Sequence, residues 1–416
     1  MSNSRRVVVT GLGLVSGHGQ DVGLAFNSML NGISAVQLTS VGDEPHSTMI
    51  PSTVCELTGA APLLGKSRSA AMDRFSQLAA LAASSAWKDA GLDTLSESQR
   101  EQMCVMLGTA VGGSQSVERG YRDLFIRGRS RLSPLTVIQC MNNAGAAHIA
   151  QLFGIGGACY TFSIACASGA TAIAEASRRV RSGECEIALG GGSEAALPYA
   201  TVRAWQSMQV LAIADADSAS QACRPFAANR GGLVMGEGAA ILVLEELEHA
   251  KARGARIYAE LAGTGVSCDH GHITAPSADG QVRAIQSALR DSCVAADDIG
   301  YVNAHGTATP EGDPVEIEAL RRCFGASAVQ LPVSATKSMH GHLMGASGAI
   351  EALITAMVVN TGRIPPTANV IDIDPACAGV DHVLGSGRDN GQVRVAMSNS
   401  FAFGGSNASL VFQAMT

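Results

Sequence analysis

Cys166 is the side chain whose setting most clearly suggests chemistry. It follows a β-branched run and precedes small residues and a helical stretch, in the string SIACASGATAIAEASRRV. This pattern predicts a strand-to-helix turn with the thiol at the amino-terminal end of a helix. The helix dipole and free N–H groups there favour a thiolate and can hold an oxyanion, so we expect a nucleophile with a lowered pKa. A buried structural cysteine at a tight turn is the alternative.

Two further strings carry histidines after predicted strands. His305 ends a strand in YVNAHGTATPEGD, and His340 and His342 lie in ATKSMHGHLMGASGAIEAL ahead of a small-residue helix. Loops at strand ends are where α/β proteins carry reactive groups. Any one of these histidines alone is equally compatible with a polar core residue whose hydrogen bonds are satisfied. Two such strand-end sites together with a turn cysteine predict thiol catalysis assisted by histidine.

Lys337 lies between a predicted strand and an apolar helix, where a charge must be paired. Glu351, in the following helix, and Glu316 are the candidate partners. A buried ion pair that organises the loop and a direct chemical role are both compatible with this position.

An apolar loop is predicted near the carboxyl terminus, where SNSFAFGGSN joins two strands. Phe401 and Phe403 flank its tip. A plain hairpin turn is one interpretation, and a gate or a backbone N–H donor beside the cysteine is the other.

The elements that must position these residues alternate between short β-branched runs and alanine-rich helical stretches, which predicts an α/β protein with buried sheets. RVVVTGLGLVSGHG, from Arg6, resembles RIYAELAGTGVSCDHG, from Arg256. A duplicated α/β unit would explain this repeat, with halves at 1–252 and 253–416 and a join within 246–255. The first Gly-x-Gly turn lacks the third glycine of a dinucleotide fingerprint.

Composition excludes several classes of protein. The chain has 416 residues, 46% hydrophobic and only 16% charged, with a net charge of −7. These values argue against disorder and against nucleic-acid binding, which needs a basic face. No stretch of about 18 apolar residues lacks a charge or a helix breaker, so no membrane span is expected. The eleven cysteines form no CxxC pair, and we predict no metal and a cytoplasmic location.

Taken in chain order, SIACASG, NAHGTATPEGD, TKSMHGH and SNSFAFGGSN resemble the motifs of β-ketoacyl-[acyl-carrier-protein] synthases, and most closely the type II condensing enzyme of bacterial fatty-acid synthesis. The resemblance covers residues from about 5 to 412. It implies a thiolase-like α/β fold of five layers, αβαβα, built from two pseudo-duplicated halves and usually found as a homodimer. It implies a 3-oxoacyl-[acyl-carrier-protein] synthase that elongates acyl chains with malonyl groups. Both substrates are carried by acyl carrier protein, and no other cofactor is expected.

The resemblance also assigns roles to individual residues. It makes Cys166 the acyl acceptor, with His305 and His342 assisting decarboxylation of the malonyl group and Lys337 and Glu351 supporting them. The other assignments are an oxyanion hole at the N–H groups of Cys166 and Phe403, a gate at Phe401 and Phe403, an acyl pocket at Val111 and Trp205, and pantetheine contacts at Thr274, Thr307 and Thr309.

Some positions depart from the family pattern. His340 replaces a small hydroxyl residue, and the residues that contact the carrier protein are altered at Ala70, Ala71 and Gln209, although Arg127, Arg129 and Arg131 form a basic cluster. These departures leave open a condensing enzyme of a specialised, polyketide- or aryl-polyene-like pathway. A non-catalytic chain-length partner subunit is less compatible, since such subunits tend to lack the cysteine. A coenzyme A thiolase would need a second cysteine near the carboxyl terminus.

Overall fold

A computed structural model of the chain describes residues 5–415. The strands, numbered along the chain, are β1 (Val7–Val15), β2 (Gln37–Asp43), β3 (His46–Thr53), β4 (Cys104–Gly108), β5 (Cys159–Phe162), β6 (Ile187–Ala195), β7 (Met235–Glu246), β8 (Ala259–Cys268), β9 (Tyr301–Asn303), β10 (Pro332–Ser334), β11 (Arg363–Ile364), β12 (Asp381–His382), β13 (Arg388–Asp389), β14 (Val395–Phe401) and β15 (Ser406–Gln413). The helices are α1 (Val22–Leu30), α2 (Ala60–Ala70), α3 (Arg74–Asp89), α4 (Glu97–Arg100), α5 (Ser114–Tyr121), α6 (Thr136–Cys140), α7 (Ala144–Phe153), α8 (Ser168–Ser182), α9 (Tyr199–Ser207), α10 (Leu247–Ala252), α11 (Ala278–Ser292), α12 (Gly312–Phe324), α13 (Lys337–His340) and α14 (Ser347–Thr361).

The strand order repeats across the molecule. β1-β7-β6-β4-β5 in the first half matches β8-β15-β14-β9-β10 in the second. In both runs the first two pairings are antiparallel and the last two are parallel. The two runs meet where β1 pairs with β8, through Val8 opposite Glu260 and Val9 opposite Ala259. The strings that resemble one another in the sequence are therefore equivalent central strands of two pseudo-duplicated halves.

Helices cover both halves of the continuous sheet and fill the space between them. α3 packs against β1 and β7, and α11 packs against β8 and β15, while α8 and α14 pack against each other in the central layer. Glycine permits this close crossing: a Cβ on Gly169 would lie 2.9 Å from the backbone nitrogen of Ala349, and one on Gly348 would lie 2.8 Å from that of Ala170. The result is the predicted αβαβα arrangement.

The central layer also explains the most apolar segment of the chain. Residues Met344–Thr361 are long and apolar enough to cross a membrane by composition, but 83% of this segment is buried inside the fold. A helix that contacts sheets and another helix on all sides is expected to be apolar all round.

The two halves share one core cluster, which contains Val9 and Leu244 of the first half and Ile350 and Leu410 of the second. α10 lies within the segment predicted to join them. The division at 252 and 253 into separate units stays a prediction, because the halves also share a continuous sheet.

Candidate active site

Cys166 lies on a 3₁₀ turn, Ala165–Ala167, which leads directly into α8. The turn is constrained: Ala165 has φ of +49°, a region that favours glycine. The hydroxyl of Ser168 stabilises it by donating to the carbonyl of Ala165 (2.7 Å) and accepting from the N–H of Ile164 (2.9 Å). The thiol is thus held, with Cys166 only 7% exposed, at the amino-terminal end of a helix as the sequence predicts.

His342 contacts the thiol. Its Nε2 lies 3.1 Å from Cys166 Sγ, and its Nδ1 accepts the backbone N–H of Met344 at 3.0 Å. An Nδ1 that accepts this bond carries no proton, so the neutral ring carries its proton on Nε2. His342 therefore points a donor into the site, and Ser347 Oγ lies 2.8 Å from the Nδ1 side.

His305 presents the same kind of donor. Lys337 Nζ donates to the carbonyl of His305 (2.6 Å) and lies 3.3 Å from its Nδ1, so that Nδ1 is the acceptor and Nε2 carries the proton. Burial first, and then the charge of Lys337, hold the pKa of His305 and of His342 well below the ordinary value. Both rings are accordingly neutral donors at physiological pH.

Lys337 is fully buried together with Glu351, and the two form an ion pair. The three ammonium protons have the three acceptors named above: the carbonyl and Nδ1 of His305 and the carboxylate of Glu351. The other candidate partner, Glu316, instead accepts the backbone N–H groups of His305 and Gly306, each at 2.8 Å. One carboxylate thus holds the lysine and the other holds the loop.

Removing the ammonium is expected to destabilise the fold. In Lys337→Met the carboxylate of Glu351 loses its cation inside the core, which costs about 3–5 kcal/mol of unfolding free energy. Denaturant unfolding measures this loss. The double variant Lys337→Met/Glu351→Gln should recover part of it, because no unpaired charge remains. A loss below about 1 kcal/mol in the single variant would contradict a buried ion pair.

The sequence-based expectation for the Cys166 pKa is wrong. Burial raises the pKa of this thiol to about 12, with Glu194 and Glu351 adding to the effect and Lys337 opposing it. A helix amino terminus contributes about 0.3–1 kcal/mol, less than one pKa unit, whereas full burial can shift a pKa by about 3–5 units. Desolvation therefore outweighs the dipole, and the resting cysteine is a thiol.

The raised pKa predicts how Cys166 reacts with iodoacetamide. Because only the thiolate reacts, and the thiolate fraction rises tenfold per pH unit below the pKa, the alkylation rate should climb without a plateau from pH 7 to about 10. Peptide mapping by mass spectrometry follows Cys166 separately from the exposed Cys268 and Cys293. A plateau between pH 6 and 8 would instead indicate a lowered pKa.

One cavity of about 420 Å³ brings most of the predicted residues together. Phe401 is the last residue of β14, and residues 402–405 form the turn to β15. The ring of Phe403 stacks on Trp205, with centroids 5.8 Å apart. The predicted residues lining this cavity are Cys166, Trp205, Thr274, Thr307, Thr309, His305, His342, Phe401 and Phe403.

Val111 lies elsewhere. It lines a second, apolar cavity of about 580 Å³ with Tyr121, Phe125 and Ile126. The two residues that the resemblance assigned to one acyl pocket, Val111 and Trp205, thus line different cavities. Trp205 lies on the side of the thiol cavity where Phe403 stacks on it.

The thiol and the two imidazoles could be mistaken for a metal site, since one potential ligand atom from each lies within 4.8 Å of the others. The hydrogen bonds at the Nδ1 atoms of the two histidines argue against metal coordination by the Nε2 atoms. Both Nε2 atoms carry protons, because the Nδ1 atoms accept from Met344 and Lys337. Two N–H donors suit an oxygen that gains negative charge better than a cation.

Several contacts that define the site were missed in the sequence. The N–H of Met344 fixes the tautomer of His342, the hydroxyl of Ser347 contacts the same ring nitrogen, and the hydroxyl of Ser168 fixes the cysteine turn. A backbone N–H carries no sequence signal, and serine beside a small-residue helix start is too common to single out.

Comparison with known proteins gives two family matches along the chain. Residues 4–250 match the β-ketoacyl synthase amino-terminal domain, and residues 258–371 match the carboxyl-terminal domain. The chain belongs to the β-ketoacyl synthase family. It is therefore an acyl-transferring condensing enzyme, as predicted.

Individual ketoacyl synthases match over the full length. 3-Oxoacyl-[acyl-carrier-protein] synthase 2 from Staphylococcus aureus (strain COL) is 38% identical over 416 residues, covering 99% of both chains. Nodulation protein E from Rhizobium sp. (strain N33) is also 38% identical, over 98% of this chain and 99% of that one. These matches span the whole stretch of chain that contains the four motifs, as the resemblance implies.

Solved structures agree on the thiolase-like fold. The ishigamide ketosynthase/chain length factor is 33% identical, with a TM-score of 0.91, over 99% of this chain and 100% of that one. A type II polyketide acyl carrier protein in complex with its ketosynthase bound to the hexaketide gives 30% identity and a TM-score of 0.89, over 100% of both chains. The predicted fold class is confirmed.

Proposed function

We propose that this ketoacyl synthase joins an acyl group held on Cys166 to a malonyl group carried by acyl carrier protein, releasing CO₂ and lengthening the chain by two carbons. The observation that carries the proposal is the cluster of one thiol and two neutral imidazole donors in a single cavity. Decarboxylation needs stabilised charge on an oxygen rather than a strong base, and neutral N–H donors supply it.

Acylation of Cys166 is the first step. The thiol sulfur attacks the thioester carbonyl of the acyl carrier, the bond to the pantetheine sulfur breaks, and the Cys166 proton ends on that sulfur. Donor and product are both thioesters, so the exchange suits a sulfur nucleophile. The N–H groups of Cys166 and Phe403 are proposed to hold the tetrahedral oxyanion. In support, the Phe403 N–H makes no hydrogen bond to another described residue.

Decarboxylation and condensation follow. The malonyl thioester loses CO₂, the electron pair of the broken C–C bond moves into an enolate, and the Nε2–H groups of His305 and His342 donate to its oxygen. The enolate carbon attacks the acyl-Cys166 carbonyl. Collapse of the adduct expels the Cys166 thiolate, which takes up a proton from solvent water, leaving a 3-oxoacyl thioester on the carrier.

Acyl carrier protein is the proposed partner, and it is named for the Staphylococcus relative and in the polyketide complex. Thr274, Thr307 and Thr309 line the cavity, where their hydroxyls can bond a pantetheine arm. Of the remaining basic cluster, Arg127 and Arg129 are paired with Asp123. No cofactor beyond the carrier's arm is proposed.

Intact-mass measurement tests the assignment. Incubation with acyl carrier proteins bearing chains of different length should add one acyl group to the enzyme, and peptide mapping should find it on Cys166. The best-accepted length then defines the acyl preference. Acylation at another residue would contradict the proposal.

A homodimer in the cytoplasm is also proposed. Tyr121, Phe125 and Ile126 are between 60% and 80% exposed in one chain, and an apolar patch of this kind marks an interface. All eleven cysteines are free, which suits a reducing compartment. Light scattering of the purified chain measures the oligomeric state, and cell fractionation the location.

A further inference from the structure

His340 has no part in the chemistry above, yet its side chain is fully buried. It is the last residue of α13, three residues after Lys337 and two before His342. Its ring makes two bonds: Nδ1 lies 2.7 Å from the carbonyl oxygen of Gly341, and Nε2 lies 3.0 Å from Thr336 Oγ1.

The first of these bonds has only one possible direction. A carbonyl oxygen accepts and cannot donate, so the proton lies on His340 Nδ1. Burial, and then the charge of Lys337, hold the pKa of His340 well below its ordinary value, so the ring is neutral and Nε2 is an acceptor. The Thr336 hydroxyl has one proton, and it lies closer to His340 Nε2 (3.0 Å) than to Asn303 Oδ1 (3.4 Å), so it donates to the ring. The ring thus links the residue before Lys337 to the peptide group before His342.

That peptide group is clamped at both of its polar atoms. Its carbonyl, from Gly341, accepts from His340 Nδ1, and its N–H, from His342, donates to the carbonyl of Val234 at 2.6 Å. Gly341 itself has φ of +70°, a backbone conformation that glycine adopts without the steric cost other residues have. Fixing this plane fixes the Cα of His342, from which the ring reaches Cys166.

We propose that His340 is a positioning residue for His342, holding the Gly341–His342 peptide so that the Nε2–H of His342 meets the developing enolate oxygen. The idea rests on the proposed function, since it assumes that this N–H serves decarboxylation. It assigns no contact with substrate to His340, which acts only through its neighbour.

Three variants separate the two ring bonds. In His340→Asn the amide nitrogen lies as many bonds from Cβ as Nδ1 does, so it can still donate to Gly341. In His340→Gln the terminal amide group lies as far from Cβ as Nε2 does, so its oxygen can accept from the Thr336 hydroxyl, but the bond to Gly341 is lost. His340→Ala removes both bonds. A thermal melt of each variant checks that it is folded.

Each variant is assayed for Cys166 acylation by intact mass and for CO₂ release from malonyl-acyl carrier protein. We expect His340→Ala to lose at least about 10-fold in decarboxylation kcat with acylation changed less than about threefold. His340→Asn should recover most of the loss and His340→Gln should not. Equal loss in both reactions, an unchanged His340→Ala, or equal recovery by Gln and Asn overturns the proposal. Failure of the unmodified enzyme to decarboxylate would instead contradict the proposed function.

Discussion

Cys166→Gln is expected to abolish condensation while malonyl decarboxylation continues. The substitution removes the thiol proposed to hold the acyl chain, so condensation should fall by on the order of 10⁴-fold or more. The donors are untouched, because the tautomers of His305 and His342 are fixed by Lys337 and by the Met344 N–H rather than by the thiol. CO₂ release and product mass, measured on the same sample, check both parts.

Cys166→Ala is the matched control. It also lacks the nucleophile, and intact-mass measurement should find no acyl-enzyme. Continued acylation of Cys166→Ala would place the nucleophile on another of the eleven cysteines. Parallel loss of decarboxylation and condensation in Cys166→Gln would mean that the thiol is needed for both.

His342→Ala is expected to separate the partial reactions in the opposite way. Loss of one donor to a developing oxyanion typically costs about 10²–10³-fold, so decarboxylation should fall by this factor. Acylation should fall far less, since the ring donates to Cys166 Sγ and, with its proton on Nε2, cannot accept the thiol proton there. Stopped assays of CO₂ release and of acyl-enzyme formation measure the two rates.

His148→Ala provides the comparison for His342→Ala. His148 lies on α7, outside the cavity that contains Cys166, and its removal should leave the ratio of the two rates unchanged. A His342→Ala variant that loses acylation and decarboxylation equally would remove the distinction between a donor and a base, and with it the proposed role.

Much of the fold could be predicted because its signals are local or repeated. Alternating strands and alanine-rich helices indicate buried sheets, and the likeness of the strings beginning at Arg6 and Arg256 indicates duplication. The local sequence does not reveal that these two strands pair with each other, with Val8 opposite Glu260. Pairing of strands about 250 residues apart in sequence is decided by the packing of whole layers.

The active site, like the fold, has features that can be predicted from the sequence and features that depend on packing. Residue types and their order predicted Cys166, His305, Lys337 and His342. Assignments that depend on distance stay predictions: Trp205 lines the cavity of the thiol, whereas Val111 lines another. Which side of a turn faces which cavity follows from how α9 and the loop after β4 pack, and single residues do not reveal it.

Residue types and their order are enough to predict which reactive groups this ketoacyl synthase carries: a thiol on a turn, two imidazoles, and one lysine that must be paired. The state of each group depends on the folded chain. Burial, which depends on every layer around the site, raises the pKa of Cys166 and lowers that of both imidazoles. The positions of two protons follow from a backbone N–H and an ammonium that only folding brings to the rings. Desolvation and hydrogen bonding act through space, so the same residues have these properties only in this fold.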